Sequence, residues 1–254
     1  MEQPGLDVAV VGPEVGVRSI LHESGVHVVD ADAADVAAAD VADADVADAD
    51  AADVVVAVGE DALVDVARAD SGAAILPVGL GEAYFAAPKQ HARQAVRELL
   101  DGEHWTVEHP VVSVAVAGEN AGEAVLDVSL VTTEPARISE YAVAHDDEHV
   151  SAFRADAAVV ATPAGSTGYT RAAGGSVLTP GTGLVVVPVA PFTTQTDSWV
   201  LADDLTVTVE REEEPVELVL DGDSWGTVPV QEPIDVAIDR HVEFVRTPAT
   251  VSRD

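Results

Sequence analysis

Residues 7–12 (DVAVVG) and 54–59 (VVVAVG) are short apolar runs that each close on glycine. A run of this length without polar alternation suits a strand buried on both faces, as in a parallel sheet. The pattern around them predicts a helix over 13–24, a strand over 26–29, a helix over 61–68, a strand over 74–78 and an amphipathic helix over 88–100. Strands alternating with helices imply an α/β N-terminal domain with a parallel sheet.

Past Gly102 the character changes. Short β-rich runs at 106–116, 125–131, 137–144, 150–154 and 205–210 are separated by turn signals such as AGEN at 117–120 and HDDE at 145–148. They predict an all-β, sandwich-like C-terminal domain. The expected division is residues 1–102, an α/β nucleotide-binding domain, and residues 103–254, a β-rich dinucleotide-binding domain. Residues 30–53 consist almost wholly of Ala, Asp and Val, with valines at 36, 41 and 46 that match neither helix nor strand period. This stretch reads as an acidic, weakly helical surface segment.

Charge bounds the partners. The 254 residues carry 46 acidic and 12 basic side chains, a formal net charge of −34, and of the basic residues only Lys89 is a lysine. A hydrophobic content of 48% excludes a disordered acidic chain. Self-repulsion at this charge is relieved by concentrated salt, which points to a halophilic cytoplasm. The same charge argues against nucleic acid and anionic membranes as partners. There is no cysteine, so disulfides, thiol catalysis and cysteine metal sites are excluded. No run approaches a membrane span in length, and the expected location is cytoplasmic. The eight histidines lack metal-site spacing and read as surface or turn residues.

Residues 155–175 read ADAAVVATPAGSTGYTRAAGG. An apolar run feeds a Thr-Pro turn, then a loop of small and hydroxylated residues, then a glycine pair. Such a loop lets a ligand lie close to the backbone, although Gly-Ser-Thr clusters alone are ordinary loop chemistry. The segment resembles the dinucleotide-binding segment of the NAD kinases, which typically reads ADGLIxxTPTGSTAYSxSAGG. The plan of an α/β domain followed by a β-rich one is similar too. The resemblance implies that Thr162, Gly165, Ser166, Thr167 and Tyr169 contact the dinucleotide, with Asp156 near the bound nucleotide.

Two further stretches extend the resemblance with substitutions. Gly59-Glu60-Asp61-Ala62-Leu63 stands where the family has GGDGT; the resemblance implies that Asp61 is the catalytic aspartate and that Gly59 and Glu60 lie at the nucleotide. Glycines there let amides approach phosphate oxygens, and the aspartate accepts the ribose hydroxyl proton. The Cβ atoms of Glu60 and Ala62 disfavour positive φ by about 1–2 kcal/mol wherever it is required. Glu60 also sets a carboxylate beside a polyphosphate. The other reading is that Glu60 and Asp61 simply start a helix. Ala124-Val125-Leu126-Asp127-Val128 stands where the family has ALNEV; the resemblance implies that Asp127 keeps the nucleotide-holding carboxylate while Leu126 loses an amide, and the other reading is a β-strand with one outward aspartate.

Other departures are Pro77-Val78-Gly79-Leu80-Gly81 in place of GINxG, Phe192 in place of a common histidine, and Asp197 in place of an arginine. Asp221-Gly222 lies near the family's DGQ and reads as a hairpin turn.

What the resemblance implies is a phosphotransferase that converts NAD to NADP at the adenosine ribose 2′-hydroxyl. The donor is ATP or polyphosphate with Mg2+, and NAD(H) and NADP are the ligands. The chain is expected to form a homo-oligomer, a dimer or tetramer. A second reading is a catalytically impaired paralogue that binds NAD(P) as a sensor or regulator. A third keeps phosphotransfer with an acceptor other than NAD.

Overall fold

The computed structural model describes residues 6–13, 15–24, 28–29, 52–81, 83–134, 137–193 and 197–251. The acidic stretch read at 30–53 therefore lies, apart from residues 52 and 53, outside the described residues. The chain divides into two compact units, Met1–His109 with Val242–Asp254, and Pro110–His241.

The first unit is an α/β layer. Its elements are β1 (Val8–Val11), α1 (Val17–Glu23), β2 (Val28–Val29), β3 (Val54–Val58), α2 (Glu60–Ala69), β4 (Ala74–Val78) and, after a 3-10 turn at Lys89–His91, α3 (Ala92–Leu100). Strands β1, β2, β3 and β4 pair in parallel in the order β2-β1-β3-β4. Phe244, near the end of the long strand Pro233–Arg246, pairs in parallel with Ile75. The apolar runs lack alternation because both faces are covered: every residue of β1 and β3 is buried. On one face Val8, Val10, Val54, Val56 and Leu76 share a core with Ile20 and Leu21 of α1 and Val96 and Leu99 of α3. Helix α2 packs on β3 and β4 and buries Leu63 and Val66. Each side chain so buried contributes about 1.5–3 kcal/mol.

His109 departs from the surface or turn reading. His109 is fully buried, stacked on Phe244 at 4.2 Å between ring centres and 5.2 Å from Phe85. Neither ring nitrogen has a hydrogen-bond partner among the described residues. Burial, with a smaller contribution from the Arg246 charge, lowers its pKa from 6.5 to about 3. The alternating sequence around it (Trp-Thr-Val-Glu-His-Pro-Val-Val) places it on the inward side of a strand, where it serves as an aromatic.

The second unit is a sandwich of antiparallel sheets. Its strands are β5 (Trp105–Val116), β6 (Glu119–Ala124), β7 (Asp127–Thr132), β8 (Ser139–His145), β9 (Glu148–Ala155), β10 (Ala157–Ala161), β11 (Leu184–Val189), β12 (Trp199–Leu201), β13 (Asp204–Arg211), β14 (Val216–Leu220), β15 (Asp223–Thr227) and β16 (Pro233–Arg246). One sheet has the order β12-β11-β10-β7-β14-β15; in the other, β16, β13, β8 and β9 follow one another, with β5 beside β16 and β6 beside β5. Val128, Leu130, Val160, Val186 and Leu218 form one core with Tyr141, Val143, Val207, Val209 and Val236. The turn expected at 117–120 is only Ala117-Gly118; Glu119 already begins β6. That strand is polar and carries Gly122, so it gives no apolar signal.

Candidate functional site

In the second unit the site grows from the end of β10. This strand lies between β7 and β11, and all five of its residues are buried. Where it ends, the Thr162 amide donates to Leu126 O at 2.9 Å and the Thr162 hydroxyl to Val125 O at 2.7 Å. The Gly165 amide donates back to Thr162 Oγ1 at 3.3 Å. Gly165 is pressed so closely on Leu126 that a Cβ would overlap its carbonyl group. The loop at 162–167 and the bend at 125–127 are therefore one interlocked piece.

The hydroxyls of this loop point into it. Ser166 Oγ donates to Pro163 O at 2.8 Å and accepts from the Leu178 amide at 2.9 Å, while Thr167 Oγ1 donates to Ala164 O at 3.1 Å. Thr162, Gly165 and Ser166 are buried, Thr167 is half-buried, and Tyr169, at the start of α4 (Tyr169–Ala172), is 56% exposed. Asp127 opposes Ala161 across the β7–β10 pair and accepts from the Ser129 hydroxyl at 3.0 Å, so it stands at the loop's side of the sheet.

Asp221 is what holds the bend. Its carboxylate accepts from the amides of Val125 at 2.8 Å, Leu126 at 2.7 Å and Asp127 at 3.0 Å, and its own amide donates to Asp127 O at 2.9 Å. Asp221 and Gly222, at φ 51° and 90°, also form the expected hairpin turn between β14 and β15. The turn reading holds, and the clamp is a second role that it hid. The signal was the Asp-Gly pair itself, fully accounted for by the hairpin.

Asp156 lies elsewhere. It precedes β10, whereas Thr162 follows it, and five extended residues put them about 20 Å apart. The departures Phe192 and Asp197 fall in a cleft of about 340 Å3 that Phe153, Arg154 and Trp199 also line. Trp199 stacks on Phe153 at 5.5 Å and 9°, and the Arg154 guanidinium lies 5.6 Å from the Phe192 ring centre. Such a cleft can take a flat ring; its charged lining, Arg154 with Glu140 and Asp197, is net acidic.

In the first unit β1, β3 and β4 each pass at their C-terminal ends into a glycine, Gly12, Gly59 and Gly79. Gly59 has φ 94° and ψ 169° and leads into α2, which has no side-chain cap. Its amide donates to Val78 O at 2.9 Å, and its carbonyl accepts from the Leu63 amide at 3.2 Å. Glu60 and Asp61 are exposed in the first turn of the helix, whereas Ala62 and Leu63 are buried against the sheet. Of these residues only Gly59 has positive φ, so the side chains at 60 and 62 carry no backbone strain. An uncapped helix start offers free amides to an anion, and open α/β sheets bind ligands at this edge. The exposed carboxylates of Glu60 and Asp61 are hard oxygen ligands suited to Mg2+ brought by phosphates.

Residues 126–247 match the family described as ATP-NAD kinase C-terminal domain. Among curated proteins, the NAD kinase of Methanosarcina acetivorans is 31% identical over 172 residues, 66% of this chain and 62% of that protein. The NAD kinase of Methanopyrus kandleri is 30% identical over 204 residues, 76% of this chain and 73% of that protein. The chain thus spans less than two thirds of the Methanosarcina relative. Among solved structures, yeast NADH kinase complexed with NADH has a TM-score of 0.74 at 16% identity, covering 97% of this chain and 85% of that one. An NAD kinase from Archaeoglobus fulgidus in complex with ATP has a TM-score of 0.70 at 19% identity, covering 97% and 96%.

Proposed function

We propose that this chain, which belongs to the NAD kinase family, transfers a phosphoryl group from ATP or polyphosphate to the adenosine ribose 2′-hydroxyl of NAD, giving NADP. The observation that carries this reading is the uncapped start of α2 at the C-terminal edge of the parallel sheet, with Asp61 exposed in its first turn. Free amides there receive the donor's phosphates. Asp61 takes the proton of the acceptor hydroxyl or orients it for in-line attack on the transferred phosphorus. Bound with the donor, Mg2+ supplies charge neutralisation, and Glu60 is the carboxylate best suited to share in holding it.

In the second unit we assign the dinucleotide to the interlocked loop. Asp127 and Tyr169 present the groups that meet it, while Thr162, Gly165, Ser166 and Thr167 set the loop's shape through the bonds described above. Asp156, a strand length away, engages a different part of the ligand from Asp127, beside the Arg154 cleft. The argument for a non-catalytic protein from backbone strain falls away, since Glu60 and Ala62 do not have positive φ.

Among the described residues no helix is long and apolar enough to cross a membrane. A cytoplasmic, salt-adapted homo-oligomer, dimer or tetramer, is the setting we propose from the net charge of −34 and the family. The test is NADP formation in multimolar KCl with Mg2+, NAD and either donor. Saturable turnover is expected. Saturable NAD binding without turnover would favour the sensor reading.

A further inference from the structure

Lys89 stands out in a chain that otherwise uses only arginine and histidine for positive charge. It opens the 3-10 turn at Lys89–His91, and its side chain is draped over Gly79. An ideal Cβ on Gly79 would stand 2.7 Å from both Cγ and Cε of Lys89, so only glycine lets the stem lie there. Gly79 has φ 76°, a second reason for glycine at this position. With Cε so close, the ammonium falls within about 6 Å of the Gly79 α-carbon by bond lengths alone.

This position is tied to the phosphate edge by register. Val58 pairs with Val78, so Gly59 and Gly79 are the next residues on adjacent parallel strands, about 5 Å apart. The Gly59 amide to Val78 O bond, 2.9 Å, closes that contact. The Lys89 ammonium therefore stands within roughly 10 Å of Gly59, at the edge where α2 begins. It is exposed, and no hydrogen bond or ion pair ties it to another described residue. By contrast, Arg18 donates to Val10 O at 3.1 Å and Arg93 to the Ser19 hydroxyl at 3.3 Å, which anchors both against the fold around α1.

We propose that Lys89 is a donor-binding residue that holds the linked phosphates of the phosphoryl donor at the Gly59–Asp61 edge. The proposal rests on the phosphotransfer reading above. Glu60 and Asp61 make this edge negative, and a chain of phosphates arriving there needs a cation besides Mg2+. A single flexible lysine stem, lying on a glycine surface, supplies one without closing the edge. The shared chemistry is a linear polyphosphate, whether carried by ATP or free.

The uniqueness of Lys89 gives a direct readout. Amine-selective acylation of the intact protein in KCl can modify only this side chain and the α-amino group. ATP and inorganic tripolyphosphate, each with Mg2+, are expected to slow acylation of the Lys89 peptide several-fold by mass spectrometry. Protection by both assigns the phosphate chain, and protection by ATP alone assigns the nucleotide as the source. In turnover, Lys89→Ala should raise the donor KM about tenfold and leave the NAD KM unchanged, with Lys89→Arg restoring most of the loss. An acylation rate unchanged by either donor, or an unchanged donor KM in Lys89→Ala, would overturn the assignment. Wild-type protein protected at Lys89 but without turnover would keep it and count against phosphotransfer instead.

Discussion

Asp221 shows how much a single carboxylate can organise. It accepts three consecutive amides from residues 94 to 96 positions earlier in the chain, while its backbone makes a hairpin turn. Charge-assisted bonds of this kind contribute more than neutral ones, and removing the acceptor strands three donors. Asp221→Asn keeps the size but gives up the charge and one acceptor. It should lower unfolding stability by about 2–3 kcal/mol in denaturant titrations and raise the NAD KM by loosening the 125–127 bend. The Asp-Gly pair was legible as a turn; its clamp was not, because sequence does not say which distant amides a turn carboxylate meets. His109 offers a second residue-scale prediction. With a pKa of 6.5 unfolded and about 3 folded, the unfolded state binds the extra proton between those values. The contribution of neutral His109 is therefore complete above pH 6.5 and falls away as the pH drops toward 3. His109→Phe keeps the ring stacked on Phe244 and should reduce proton uptake on unfolding at pH 4.5 by about one, read from the pH slope of stability.

At the scale of elements, the start of α2 decides how the GEDAL sequence is understood. A family pattern with three glycines suggests an open loop, yet here the helix begins at Glu60, and Ala62 lies buried on its inner side. Restoring both glycines (Glu60→Gly with Ala62→Gly) places two poor helix formers in a first turn and removes a buried methyl group. Stability should fall by about 1–2 kcal/mol without a gain in NADP formation; a several-fold rise in turnover would show that the lost glycines do limit the donor edge. Buried strands were the most legible elements, since β4 coincides with the apolar run at 74–78 and β3 takes up the run at 54–59 except for its closing glycine. Strands β6 and β15 were not, because they are polar edge or near-edge strands with mostly exposed or half-exposed residues. The inward-turned hydroxyls of Thr162 and Ser166 were also illegible. A loop of small polar residues reads the same whether its hydroxyls face a ligand or its own carbonyls.

For the whole molecule, the net charge of −34 predicts a strong dependence of stability on salt. With 46 acidic and 12 basic residues, folding gathers like charges that dilute buffer screens over about 10 Å and molar salt over about 3 Å. The thermal midpoint should climb steeply between 0.1 and 2 M KCl, and a flat salt dependence would remove the halophilic reading. In the proposed reaction Asp61 at the α2 start acts on the acceptor hydroxyl. The most direct test is NADP formation by wild type and Asp61→Asn side by side in multimolar KCl, with NAD binding measured on both. Asp61→Asn should lose about 10²–10⁴-fold in turnover with NAD affinity retained. Turnover in Asp61→Asn equal to wild type would contradict it.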